Sequence, residues 1–190
     1  MSNSVRQIRD KISMSFNKRR SVALLAALAI TAGYAVSRGV GAESAQVARG
    51  KYLVELAGCT DCHTPGHFLG KPDMSRFLGG SDIGFEVPGL GIFTGPNLTP
   101  DNDTGLGRWT SAQMVTGIQT GVRPDGRVLA PVMPWRAYAG LTKPDVNAIV
   151  EFLRSLPPVG NKVPGPLGLD EGPTVFRMKM LPPDQGAQPN

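Results

Sequence analysis

The sequence Cys59-Thr60-Asp61-Cys62-His63 decides the fold, because it determines what the rest of the chain must enclose. The chain has only these two cysteines, and a two-residue gap would close a small, strained disulfide loop. Two thiols one helical turn apart can instead each form a thioether with one of the two vinyl groups of a haem. The histidine that follows can then bind the iron from one side. The motif therefore predicts one covalent haem c on Cys59 and Cys62, with His63 as an axial ligand of the iron.

Two other uses of the cysteine pair compete with haem. A thioredoxin-like redox pair requires a βαβ context, which the surrounding sequence does not offer. A zinc site would have to use Cys59, Cys62, His63 and His67, the only cysteines and histidines of the chain. Adjacent residues Cys62 and His63 make a poor pair of tetrahedral ligands, and there is no second cysteine pair. Haem is the interpretation that the motif favours.

The second axial ligand must come from elsewhere in the chain. His67 lies only four residues after His63, on the same side of the haem, so it cannot easily reach the opposite face. Among the seven methionines, Met133 stands in the segment APVMPW at 130–135, where the flanking prolines fix φ and stiffen the loop. Met74 follows the motif too closely, and Met114 lies on a predicted helix, where core packing is expected. We therefore predict Met133 as the ligand; a His/Met pair raises the reduction potential and leaves no open coordination site.

The charge of the chain is confined to its first segment. Residues 1–20 hold six basic residues and one acidic residue, whereas residues 21–190 hold 14 of each. A neutral body without a basic stripe gives no support to nucleic-acid binding. Residues 21–36 are apolar and uncharged, and small residues follow at 40–42, which is typical of an export signal or a retained membrane anchor. We expect residues 1–42 to direct the rest to the periplasmic side of the bacterial inner membrane.

The remaining sequence divides into a loop-rich domain and a tail. Helices are predicted over residues 43–57, over 111–119 behind a Thr110–Gln113 capping box, and from Thr142 to the Pro157-Pro158 pair. Residues 64–108 and 122–141, rich in Gly and Pro, are predicted as loops. We expect one domain over residues 43–158 and an extended Pro/Gly-rich arm over residues 159–190.

Six segments together resemble class I c-type cytochromes, in particular the single-haem cytochrome c subunits of membrane-associated bacterial dehydrogenases. They are GKYLV (50–54), CTDCHTP (59–65), GPNLTPD (95–101), TGLGRW (104–109), MPWRAY (133–138) and AIVEFLRSLPPV (148–159). The resemblance implies an all-α cytochrome c fold in which residues 50–56 cross residues 144–156. It also implies His63 and Met133 as the axial pair, with Pro65 and the Asn97 loop near the haem edge and Trp109 and Trp135 around the pocket. Alcohol dehydrogenase cytochromes of this lineage often carry three haem motifs, whereas this chain has one.

These expectations lead to three functional hypotheses. The first is an electron carrier without catalytic activity of its own, which takes single electrons from a dehydrogenase or a quinol-oxidising respiratory complex and passes them to a terminal acceptor. The second is a haem enzyme or gas-binding cytochrome with an open sixth site. The third is a structural haem subunit of a respiratory complex, with residues 159–190 as its docking arm.

Overall fold

The computed structural model describes residues 44–171, 175–179 and 181. The predicted export signal or anchor, residues 1–42, lies outside the described residues, as do residues 172–174, 180 and 182–190 of the predicted arm. No helix among the described residues is long and apolar enough to cross a membrane. The helices are α1 (Ala45–Leu56), α2 (Cys59–His63), α3 (Ser111–Thr120), α4 (Trp135–Tyr138) and α5 (Lys143–Ser155), and the strands are β1 (Ile83–Val87), β2 (Gly91–Thr94) and β3 (Phe176–Lys179). Two short 3₁₀ turns, His67–Leu69 and Met74–Arg76, separate α2 from β1.

The ends of the long helices follow from local chemistry. The Ser44 hydroxyl accepts a hydrogen bond from the Val47 amide at the start of α1. At α3, the Thr110 hydroxyl accepts from the Gln113 amide and the Gln113 side chain accepts from the Thr110 amide, which confirms the predicted capping box. Helix α5 begins after Thr142, as predicted, and ends at Ser155, two residues before Pro157.

Helices α1 and α5 form the centre of the core. Gly50 on α1 lies against the backbone of Ala148 on α5, where a Cβ atom would overlap the Ala148 carbonyl. Leu53 and Val54 on α1 pack in one buried cluster with Ile149 and Leu153 on α5. The close approach at Gly50 places the end of α1, and therefore the cysteine motif, at a fixed distance from α5. The predicted crossing of these two helices is present.

The all-α expectation is incomplete, because the described residues include a three-stranded sheet of order β2-β1-β3. Strands β1 and β2 pair antiparallel, and β1 and β3 pair parallel. The interpretation of residues 64–108 as loop was wrong for β1 and β2. The hairpin forms because Pro88 and Gly89 provide the turn: Gly89 has φ +74°, and the Leu90 amide donates to the Val87 carbonyl. Residues 122–141 also differ from the predicted loop, since they contain α4.

Candidate haem-binding site

A cavity of about 520 Å³ lies between the helices and the loops that follow them, and all four predicted site residues line it. Cys59, Cys62 and His63 come from α2, and Met133 comes from a loop seventy residues later. The other walls are mostly apolar and include Phe85, Phe93, Leu98, Trp109, Ile118, Leu129 and Leu153. A cavity of this size with apolar walls and a few polar groups is typical of a cofactor site.

The two cysteines are placed by a sharp change of chain direction between α1 and α2. Gly58 makes this turn with φ +66°, a conformation that side chains other than glycine rarely adopt. Both thiols are free and partly buried. Burial raises the pKa of Cys59 to about 11, and burial together with the Asp61 carboxylate raises the pKa of Cys62. Reactive redox thiols have a depressed pKa, so this environment does not suit a thioredoxin-like pair.

His63 is 4% exposed, and its ring is held by one short hydrogen bond. Its Nδ1 lies 2.7 Å from the Pro96 carbonyl oxygen, which can only accept, so Nδ1 carries the proton. The lone pair on Nε2 is then free for a metal, which is the arrangement found for metal-binding histidines. Burial lowers the pKa of His63, which favours the neutral imidazole that binds iron.

The Pro96 carbonyl reaches His63 because Gly95 precedes it. A Cβ on Gly95 would overlap the Cys62 carbonyl and would come within 3.4 Å of His63 Nδ1. The absence of a side chain therefore lets residues 95–97 lie directly on α2. Gly95, Pro96 and Asn97 also line the cavity.

Asn97 is 1% exposed and connects this loop to the chain after α5. Its Nδ2 donates to the Val159 carbonyl at 2.6 Å and to the Thr104 hydroxyl at 3.1 Å. Its Oδ1 accepts from the amide and from the hydroxyl of Thr99, at 2.9 and 2.7 Å. The Thr99 hydroxyl in turn accepts from the Val159 amide at 3.0 Å. This buried network holds the loop that carries Pro96.

The structure separates the remaining histidine and methionine candidates. His67 pairs with Asp61 at 3.2 Å and does not line the cavity. Met74 is 63% exposed. Met114 on α3 lines the cavity but belongs to the buried core cluster, so Met133 is the cavity-lining methionine on a loop. Among the described residues, no three His, Cys, Asp or Glu side chains form a cluster that could hold a metal ion.

Of the haem neighbours that the resemblance implies, some line the cavity and others do not. Trp109 and Asn97 line the cavity. Trp135 instead packs on Gly121, where a Cβ would come within 2.7 Å of the indole. Pro65 is buried but is not among the lining residues.

Several lining residues were not anticipated from the sequence. Arg123 and Arg127 flank a turn closed by the bridge between Val122 and Val128, and both reach the cavity. Residues 162–166, from the predicted arm, cover another side. The Thr94 hydroxyl is buried at the cavity without a hydrogen-bond partner among the described residues. The apolar walls suit an apolar ring system, His63 and Met133 suit a metal, and the arginines suit acidic substituents. The residues present therefore fit a haem.

Comparison with known proteins gives a family match and several similar proteins. The cytochrome c family model matches residues 47–157. The cytochrome c subunit of the quinone-dependent alcohol dehydrogenase of Gluconacetobacter polyoxogenes is 32% identical over 163 residues, which cover 83% of this chain and 33% of that protein. The fructose dehydrogenase cytochrome subunit of Gluconobacter japonicus is 37% identical over 112 residues, 57% of this chain and 22% of that protein.

A third relative aligns over more of this chain. The gluconate 2-dehydrogenase cytochrome c subunit of Pantoea cypripedii is 29% identical over 172 residues, which cover 87% of this chain and 37% of that protein. The chain thus spans about a third of the length of these curated relatives.

Proposed function

Because this chain belongs to the cytochrome c family, we propose that it carries single electrons through one covalently bound haem c. The observation that carries the proposal is that Cys59, Cys62, His63 and Met133 line one apolar cavity. These residues supply two thioether positions and two iron ligands of different chemistry. The single C-x-x-C-H motif of the sequence is the basis for one haem per chain.

Each group at the site has a distinct role in this proposal. Cys59 and Cys62 attach the haem, and His63 and Met133 bind its iron. The haem supplies the one-electron chemistry, while the protein supplies ligands, burial and the electrostatic environment. Arg123 and Arg127 lie on the cavity wall. Arg123 pairs with Asp125 at 3.3 Å, and the cation of Arg127 would favour the acidic substituents of a haem. If His63 and Met133 both bound the iron, they would leave no open site for substrate chemistry.

The relatives suggest which proteins this carrier meets. Three of them are named as cytochrome subunits of alcohol, fructose and gluconate dehydrogenases. We propose a dehydrogenase as the electron donor, with a quinol-oxidising respiratory complex as the alternative donor. The haem then passes its electron to a terminal acceptor. We propose that transfer takes place on the periplasmic side of the bacterial inner membrane, and that residues 1–42 provide the export signal or anchor.

The proposal is tested on the full chain produced in a host that matures c-type cytochromes. The intact mass is expected to exceed that of the polypeptide by one haem, and the mass increase should survive denaturation. When the native complex is purified in mild detergent, a dehydrogenase should accompany the chain and reduce its haem when given its substrate. A chain without covalent haem, or a haem that no co-purifying oxidoreductase reduces, would contradict the proposal.

A further inference from the structure

The segment that carries Met133 has few hydrogen bonds to the rest of the molecule. Residues 130–141 are mostly bonded among themselves: the Met133 amide donates to the Ala130 carbonyl, and the amides of α4 donate within the segment. Within the described part of the chain, two side-chain hydrogen bonds connect this segment to residues outside it. Gln119 Nε2 donates to the Leu141 carbonyl at the end of the segment, at 2.9 Å. The other bond is that of Tyr138.

Tyr138 connects the methionine side of the cavity with its cysteine side. Its hydroxyl donates to the Ala57 carbonyl oxygen at 2.8 Å, across 81 positions of sequence. Ala57 terminates α1 and lies two residues before Cys59. Tyr138 also lines the cavity with Cys59 and Met133. One hydrogen bond therefore connects the segment that carries Met133 with the segment that leads into the two cysteines.

The connection between Tyr138 and Met133 is short and stiff. Pro134 follows Met133 directly, and the Trp135 amide donates to the Met133 carbonyl at 2.8 Å. The Tyr138 amide donates to the Pro134 carbonyl at 3.3 Å, which completes the single turn of α4. On the outer side, the indole of Trp135 packs on Gly121. A displacement of the Tyr138 ring would therefore move Met133 as part of the same unit.

We propose that Tyr138 is a positioning residue that holds the Met133 loop in place through its hydrogen bond to Ala57 and so keeps the thioether on the iron. This inference rests on the proposed function, because it requires Met133 to be the axial ligand. Without the hydroxyl, the Ala57 carbonyl loses its partner and the loop loses its attachment to the cysteine side. The population in which Met133 has left the iron then rises, and an external ligand can enter more readily.

The test compares Tyr138→Phe with Tyr52→Phe in the full haem-loaded protein. Tyr52 is 53% exposed on α1 and does not line the cavity, so its variant controls for the general loss of a tyrosine hydroxyl. Imidazole is titrated into the ferric proteins. The loss of one hydrogen bond should raise the apparent imidazole affinity of Tyr138→Phe about fivefold over wild type, while Tyr52→Phe should match wild type.

The outcomes separate this inference from the proposed function. If the wild-type ferric protein shows the methionine–iron charge-transfer band and Tyr138→Phe binds imidazole as wild type does, Tyr138 has no positioning role. If wild type itself lacks that band, the ligand assignment fails and the failure lies in the proposed function. If Tyr138→Phe does not incorporate haem, the wild-type protein still tests the positioning role of Tyr138. The hydrogen-bonded Tyr138 hydroxyl proton should be visible by NMR as slowly exchanging, and a rapidly exchanging hydroxyl would overturn the inference.

Discussion

His63 Nδ1 donates a hydrogen bond of 2.7 Å to the carbonyl oxygen of Pro96, 33 residues further along the chain. This bond fixes the tautomer and the orientation of a buried imidazole before any metal binds. It also gives the ring more electron density, which favours the ferric state of a bound iron. The loop that provides the carbonyl is itself held by Asn97, so the properties of the proposed metal site would depend on residues that do not touch the metal.

Gly95→Ala is expected to disturb this bond, because the new Cβ would overlap the Cys62 carbonyl and displace the loop. The variant should lose about 1–3 kcal/mol of stability from overpacking. A weakened Nδ1 hydrogen bond should also raise the reduction potential of the haem. Denaturant unfolding and a redox titration measure both effects. Gly160→Ala is the matched control, since a Cβ at Gly160 meets nothing within 4 Å; equal potentials for the two variants would refute the expectation.

Asn97→Ala is expected to destabilise the protein by about 2–4 kcal/mol, because it removes the four hydrogen bonds of a buried side chain, among them the bond from the Thr99 amide. The measurement is denaturant unfolding of the haem-loaded variant. Asn102→Ala serves as control, because Asn102 is exposed and should have little effect. Similar losses for both variants would show that the network around Asn97 does not hold the loop.

Arg127→Gln is expected to lower the reduction potential. A positive charge on the cavity wall favours the reduced haem, which carries one positive charge fewer than the oxidised haem. An interaction of about 1 kcal/mol corresponds to a decrease of about 40 mV for a one-electron couple. Arg76→Gln is the control, since Arg76 pairs with Asp73 and does not line the cavity. If the reduction potential of Arg127→Gln equals that of the control, Arg127 does not contribute to the electrostatics of the site.

The attachment of β3 is expected to weaken in acid. Glu86 on β1 accepts from Arg177 at 2.8 Å and from Lys179 at 3.1 Å. Lys179 and then Arg177 hold the pKa of Glu86 below its ordinary value of 4.5. A depressed folded-state pKa gives stability that is present above the unfolded-state pKa and is lost as the pH falls through the folded-state value.

The strand should therefore remain paired near neutral pH and detach progressively below about pH 4.5. Hydrogen exchange of the amides at 176–179, followed as a function of pH, measures the detachment. In Glu86→Gln the exchange should already be faster at neutral pH and should depend less on acid. Protection that stays constant to low pH in wild type would contradict the role of this ion pair.

The parts of the fold that the sequence predicted are those with local causes. The C-x-x-C-H motif, the capping box of Thr110 and Gln113, and the cap at Thr142 act within four residues, so they can be recognised without the rest of the chain. The alternation of Ile83, Phe85 and Val87 before the Pro88-Gly89 turn was an equally local signal for a hairpin. It was missed because the high density of Gly and Pro between residues 64 and 108 suggested loop throughout.

The parts that could not be predicted depend on contacts between distant segments. The parallel pairing of β3 with β1 joins residues more than ninety positions apart, and no local pattern specifies it. The same holds for residues 162–166 on the cavity wall and for the bond from Tyr138 to Ala57. Met133 is predicted as a ligand from the prolines around it, which are a local signal. That Met133 and His63 line one cavity is a result of the fold.

The most direct test of the account is the ferric absorption spectrum of Met133→Ala, compared with wild type and with Met114→Leu. Met114 also lines the cavity, so its variant separates ligation from a general change of packing. The account predicts a methionine–iron charge-transfer band in wild type and in Met114→Leu. In Met133→Ala it predicts the loss of this band together with a lower reduction potential. If the charge-transfer band and the reduction potential are unchanged in Met133→Ala, Met133 is not the iron ligand. The proposal of a six-coordinate electron carrier would then be contradicted.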